Sequence, residues 1–210
     1  MNFEKTPIVL ATTNPGKAKE IRALLEDLPV EILTLADLSI RAPFPEKEAT
    51  FAKNAGGKSI YYSQKSGFLT LAEDSGLAID ALHGAPGIYS ARFSGPRATD
   101  EKNNRKVLRL MKNFPRARRR AQFVCCLILS RNGRVIKRVS GRVRGTISWA
   151  IKGRRGFGYD PIFYYHPFRK TFGELSPRQK NEVSHRGRAL RKMKVFLTVY
   201  LKAHRAKQGP

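Results

Sequence analysis

Residues 12–17, Thr12-Thr13-Asn14-Pro15-Gly16-Lys17, gather the residue types best suited to hold an anion. An apolar run at 8–11 leads into them and a helical pattern leaves them. Asn14 suits an N-cap, because its side chain accepts an orphan backbone N–H. Pro15 then falls at the first helical position, where its missing donor costs nothing. Gly16 lets another group approach the backbone, and Lys17 adds a cation where a helix start is already electropositive. An anion, and a phosphate in particular, is stabilised in such a place. Taken alone, the stretch reads equally well as a capped helix without a ligand. It is not a Walker A loop, since Ala18 follows Lys17 and no hydroxyl is placed for magnesium. Ligands for a metal must come from elsewhere.

Other clusters offer them. Glu73-Asp74-Ser75-Gly76 follows an apolar run at 68–72 that reads as a buried strand, and ligands gather at strand C-termini in α/β sheets. Adjacent carboxylates there are hard oxygen ligands for Mg²⁺ beside a phosphate, or a solvated tight turn. Pro45-Glu46-Lys47-Glu48 adds further acids, and Lys58 a cation, that also read as ordinary surface charge. In residues 156–161, Phe157 and Tyr159 offer faces for stacking on a base and Asp160 an acceptor; the same loop reads as a turn with its aromatics in the core. Ser184-His185-Arg186-Gly187 sets three polar groups at a helix start, suited to reading a carbonyl-bearing ring or simply to capping. No Gly-x-Ser-x-Gly elbow supports a Ser/His hydrolase.

The elements that must position these groups follow from hydrophobic periodicity. Helices are expected over 17–25, 50–64 (ending near Gly67, with Gly56 and Gly57 counting against it), 100–111 and from Ser184 onward. Strands are expected over 68–72 and 77–82, with the Glu73–Gly76 turn between them, and a Gly/Pro-rich loop covers 84–97. The strands at 122–130 and 135–139 flank Arg131-Asn132-Gly133, a hairpin signal. Further strands are expected over 142–149 and 162–165. The order is α/β, then an antiparallel insertion, then a closing helix whose apolar stripe runs from Ala189 to Leu201 and whose other face is almost wholly basic. This predicts a single α/β domain over 1–210, a mixed sheet with two lobes and a central cleft, and a basic flexible tail at about 203–210.

The 210 residues carry a net charge of +25. Residues 1–100 hold 11 basic and 12 acidic side chains, and 101–210 hold 30 and 4, so all of the excess lies in the second half. Runs such as 116–120 and 186–194 attract polyanions at low salt, or form a solvated basic surface. There is no secretory pattern and no apolar run long enough to span a bilayer. The adjacent Cys125 and Cys126 are unsuited to pairing and fit a reducing compartment, so a cytoplasmic location without membrane contact is expected.

Taken in order, the motifs closely resemble the inosine triphosphate pyrophosphatase family, the dITP/XTP pyrophosphatases. The resemblance runs from about Pro7 to Leu197. It is carried by Thr12 to Lys17, by Thr50-Phe51 with Asn54-Ala55 and Lys58, by Glu73 to Leu77, by Gly84 to Arg92, by Gly156 to Phe163 and by Ser184 to Gly187. The resemblance implies an elongated α/β fold, a homodimer, a Mg²⁺ requirement and hydrolysis of ITP, dITP and XTP to monophosphate and pyrophosphate. It implies that Thr12, Thr13, Asn14, Pro15, Gly16, Lys17 and Lys58 hold the phosphates. By the same resemblance Glu46 and Asp74 would bind the metal, and Asp74 would also serve as the base. Ser75 touches the nucleotide. Phe157, Gly158, Tyr159 and Asp160 form the base pocket, which Lys180, His185 and Arg186 close. Lys53 and Arg144 stand where the family usually has acids. The alternative is a catalytically weak member of the fold that binds nucleic acid through its basic half.

Overall fold

The computed structural model describes residues 5–206. It is an α/β structure with one seven-stranded mixed sheet. In chain order the main elements are β1 (Thr6–Ala11), α1 (Pro15–Leu25), β2 (Val30–Thr34), α2 (Phe51–Ser66) and β3 (Leu69–Ile79), then α3 (Asp100–Leu110), β4 (Arg120–Arg131), β5 (Arg134–Ile147), β6 (Phe163–Tyr165) and β7 (Lys170–Thr171), and finally α4 (Pro177–Val183) and α5 (His185–Ala206). The strand order is β2-β1-β3-β4-β5-β6-β7. Strand β1 pairs in parallel with β2 and β3, and β6 pairs antiparallel with β5 and β7.

The chain divides into two compact units. Unit 1 comprises Met1–Asp74, Cys126–Ser140 and Arg188–Pro210; unit 2 comprises Ser75–Cys125 and Gly141–Gly187. A core cluster of unit 1 gathers Val9, Ala11, Leu35, Tyr62 and Ala72. Unit 2 is built on a larger aromatic cluster that includes Phe123, Tyr159, Phe163 and Phe172.

Local chemistry explains most of the elements. Asn14 caps α1 by accepting from the Lys17 N–H, and Pro15 opens it. Thr50 caps α2 in the same way, and Gly67 ends it in the left-handed region at φ 71°. Gly57 sits inside α2 because a Cβ there would stand 2.6 Å from the Phe44 ring; a helix-weakening residue is kept for close packing. At the hairpin, Asn132 and Gly133 both have positive φ, as a two-residue turn matched to strand twist requires.

Three expectations are corrected. Glu73-Asp74-Ser75-Gly76 is not a turn between two strands but the middle of one, β3, flanked by β1 and β4. Its polarity imitates a turn, yet Glu73 and Asp74 are paired within the fold. Likewise 135–139 and 142–147 belong to one strand, β5, which ends before Ser148 and Trp149 of the expected 142–149 strand. Gly145 within it faces the Tyr164 carbonyl so closely that a Cβ would lie 2.5 Å away, which marks close strand approach rather than a break. The closing helix runs to Ala206, into the expected flexible tail, whose residues 207–210 lie outside the described residues. The periodic signal missed β2, β7 and α4, which are only 5, 2 and 7 residues long. In α5, Ala189, Leu190, Met193, Leu197 and Leu201 are buried as their spacing requires, while Val195 and Val199 interrupt the basic face.

Candidate active site

Unit 1 carries the anion and carboxylate chemistry. The 12–15 turn lies at the C-terminal end of β1, as α/β architecture places ligand loops. The Asn14 N–H donates to Thr12 Oγ1 at 3.2 Å and the Lys17 N–H donates to Asn14 Oδ1 at 3.0 Å. Thr12, Thr13, Asn14 and Pro15 line a cavity of about 730 Å³, with Arg22 and Arg41 also in its wall. Gly16 is half-buried, and the Lys17 ammonium reaches back to Glu73 Oε1 at 3.5 Å. The Glu73 side chain is fully buried, so Lys17 compensates a charge that water does not reach.

Asp74, next along β3, is 6% exposed, and Asn54 donates to its Oδ2 at 3.1 Å. Burial pushes its carboxyl up to about 6 and the charge of Glu46 adds to the shift; Lys17, Lys58 and the Asn54 hydrogen bond oppose it. Lys58 forms an ion pair with Glu46. Asn54 and Lys58 are four residues apart on α2 and so share the face that meets these acids. The carboxylates, the two lysines and the 12–15 turn all belong to unit 1.

Unit 2 carries the second group. Gly156 and Gly158 have φ of 77° and 61°, which lets the intervening loop turn tightly. Within it the Phe157 N–H donates to Asp160 Oδ2 at 2.8 Å, and Lys180 pairs with the same carboxylate. Lys180 Nζ lies 4.5 Å from the Phe157 ring centre and the Arg186 guanidinium 5.2 Å from it. Both cations are at least 96% buried. Arg186 also donates to Ser75 Oγ at 3.3 Å. His185 is buried and stacks on Phe123 with ring centres 4.6 Å apart.

Two loop residues take positions the sequence does not distinguish. Tyr159 is buried in the core and its hydroxyl donates to the Ser90 carbonyl at 2.8 Å; it offers no free face, which leaves Phe157 as the half-buried aromatic of the loop. Asp160 spends its Oδ2 on Phe157 and Lys180. Sequence reasoning gave Asn54 no role, although it stood in a quoted motif, and missed Asp100 and Asn104. Asp100 accepts from the Gly158 N–H at 2.6 Å, and Asn104 donates to the Gly158 carbonyl at 2.9 Å. The available signal was their i, i+4 spacing on α3. Lys53 and Arg144 are both exposed, so the exchange of acid for base at these positions falls on the surface.

The motifs quoted above thus supply one group of polar residues in unit 1 and another in unit 2. The model of the Ham1 family matches residues 8–196. The chain belongs to the Ham1 family. A relative named dITP/XTP pyrophosphatase from Desulforamulus reducens is 42% identical over 196 residues, covering 92% of this chain and 97% of its own. Another of that name from Thermus thermophilus is 45% identical over 184 residues, covering 88% of each. Among solved structures, a HAM1 protein from Coxiella burnetii superposes with a TM-score of 0.84 at 37% identity, covering 92% of this chain and 98% of its own. The Ham1 protein of Staphylococcus aureus gives 0.83 at 37% identity, covering 93% of this chain and all of its own. The family assignment agrees with the sequence motifs. Among the described residues no helix is long and apolar enough to cross a membrane.

Proposed function

We propose that this Ham1 protein hydrolyses ITP, dITP and XTP to the monophosphate and pyrophosphate, and so clears non-standard purines from the nucleotide pool. The observation that carries this reading is Asp74: a buried carboxylate with an elevated pKa, held by Asn54 and influenced by Glu46, Lys17 and Lys58. A base poised near 6 is able to take a proton from water at neutral pH. Lys17, Lys58 and the 12–17 turn are suited to neutralise charge that develops on a pyrophosphate leaving group.

No group of three or more His, Cys, Asp or Glu suited to a metal occurs among the described residues. Asp74 and Glu46 nonetheless fit Mg²⁺, which commonly takes one or two carboxylates and completes its shell with water and substrate phosphates. When bound there, Mg²⁺ supplies charge neutralisation and a more acidic water. Glu46 and Asp74 would hold the ion, Lys58, now paired with Glu46, would face the phosphates, and Asp74 would accept the proton of the attacking water.

In unit 2, Phe157 stacks on the purine, with Gly158, Tyr159 and Asp160 shaping the loop and Lys180 fixing Asp160. Ser75 touches the nucleotide. Arg186 and His185 donate to the 6-oxo group, an acceptor where adenine presents a donor; a site built this way rejects the wrong group by about 10⁴-fold. The protein works as a homodimer in the cytoplasm. Exposed Tyr89 and Trp149 in unit 2 support the first reading, and the adjacent Cys125 and Cys126, unsuited to pairing with each other, the second.

Pyrophosphate release from ITP, ATP and GTP, with and without Mg²⁺, tests the proposal. Release from ITP that depends on Mg²⁺ and exceeds release from ATP by orders of magnitude is expected. No release, together with salt-sensitive RNA binding, favours a nucleic-acid-binding member of the fold.

A further inference from the structure

The two faces of α3 have separate uses. Asp100 and Asn104 hold Gly158, while Val107 and Met111 enter the core of unit 2. The other face carries Lys102, Arg105, Lys106 and Arg109 at i, i+3, i+4 and i+7; Lys102 and Lys106 bond to the 93–97 loop and Arg105 to Glu101, none of them residues assigned to hydrolysis. Together with Ser94 they line a cavity of about 360 Å³.

Two features separate this cavity from a merely solvated basic surface. Its cations are oriented by the 93–97 loop: Lys106 Nζ donates to the Phe93 carbonyl at 2.6 Å and lies 4.4 Å from the Phe93 ring centre, and Lys102 Nζ donates to the Arg97 carbonyl at 3.1 Å. The loop is itself fixed, because Asn103 accepts the Ser94 N–H at 2.8 Å. The second feature is Ser94 Oγ, which is buried without a hydrogen-bond partner. A buried hydroxyl left unsatisfied is costly, and an anion in the cavity would accept from it. Glu101 pairs with Arg105 and is the one acid on this stretch of the helix face, so the four cations keep a local excess of three positive charges. Lys102 to Arg109 covers about 10.5 Å of helix, longer than a single phosphate group needs.

We propose that this cavity is a second anion site of unit 2, taking a condensed phosphate chain of two or more phosphoryl groups. The charge-assisted hydrogen bonds of the lysines and arginines supply the affinity, and Ser94 supplies a fixed donor in the wall.

Titration calorimetry of the full chain with inorganic tripolyphosphate at 0.15 M salt, without divalent metal, tests it. The Lys102→Ala/Arg109→Ala double variant should show one binding event fewer than wild type, or the same event weakened by about tenfold or more. Ser94→Ala should weaken the same event severalfold. Both variants should melt near wild type and turn over ITP within twofold of it. Identical isotherms for wild type and the double variant overturn the site. Binding that falls with the cations and ignores Ser94→Ala also overturns it, leaving a diffuse basic surface. If a single-stranded oligonucleotide shows the cation dependence and tripolyphosphate does not, the occupant is a nucleic-acid backbone and the proposal fails. Because the readout is binding, absence of ITP hydrolysis would leave this result standing on its own.

Discussion

Asn54 donates to Oδ2 of Asp74 at 3.1 Å, joining α2 to the middle of β3 across twenty residues of chain. The bond favours the ionised carboxylate, yet burial outweighs it and raises the group from 3.8 to about 6. The sign of the stability effect follows. Below pH ~4 Asp74 is neutral in both folded and unfolded chains and makes no difference. Between ~4 and ~6 only the unfolded chain ionises, so stability falls as pH rises. Above ~6 the loss is complete, about 3 kcal/mol for a shift of this size. In metal-free buffer Asp74→Asn should therefore melt above wild type at pH 7.5 and with it at pH 4. Equal melting at both pH values would contradict the raised pKa. The same variant should nearly abolish ITP turnover while remaining folded; an active, folded Asp74→Asn protein would remove Asp74 as the base.

Lys17 and Glu73 are unequal partners. The Glu73 side chain is fully buried and that of Lys17 is 17% exposed. Removing Lys17 deprives a buried carboxylate of its cation, whereas removing the charge of Glu73 leaves a lysine that still reaches water. Lys17→Met should cost about 3 kcal/mol in urea denaturation at neutral pH, and Glu73→Gln distinctly less. The reverse order would show that Glu73 is compensated by its other contacts.

How much of this was legible beforehand depended on the range of the interaction. The Asn14-Pro15 helix start and the Asn132-Gly133 turn are local chemistry, and both were readable from neighbouring residues. The acids of β3 were read as a candidate site but placed in a turn, because what permits them in a central strand is pairing to Lys17 and Asn54, far away in sequence. For Tyr159 the sequence left a stacking face and a core position equally open; the core cluster of unit 2 and the Ser90 carbonyl, 69 residues distant, decide for the core. For the grip of α3 on Gly158 the i, i+4 spacing of Asp100 and Asn104 was the one local signal, and its partner lies 54 residues or more away.

That grip has a kinetic signature. Asp100 takes the N–H of Gly158 and Asn104 donates to its carbonyl, so one residue of the 156–160 loop is held at both of its backbone polar groups. The Asn104→Ala variant loses the second bond without touching the acids of unit 1. It should raise KM for ITP several-fold, with kcat changed less than twofold. A fall in kcat at unchanged KM would place Asn104 in the chemical step instead.

Arg119 offers a test of the scaffold. It is 2% exposed, and its guanidinium donates to the carbonyls of Met111, Ile147 and Ser148 at 2.6, 2.8 and 2.7 Å, while stacking 4.0 Å from the Trp149 ring centre. Burial lowers its pKa, but a guanidinium starts so high that it stays charged at neutral pH. Its planar fork is what ties the end of α3 to the end of β5. Replacement by Met fills the volume but leaves those carbonyls without a donor, each worth about 1–3 kcal/mol when stranded. Lys keeps the charge but not the fork. Both variants should lose about 3 kcal/mol or more in denaturant unfolding, with Lys no better than Met by more than ~1 kcal/mol. Recovery of most of the stability by Lys would show that the charge, rather than the carbonyl fork, is what the site requires.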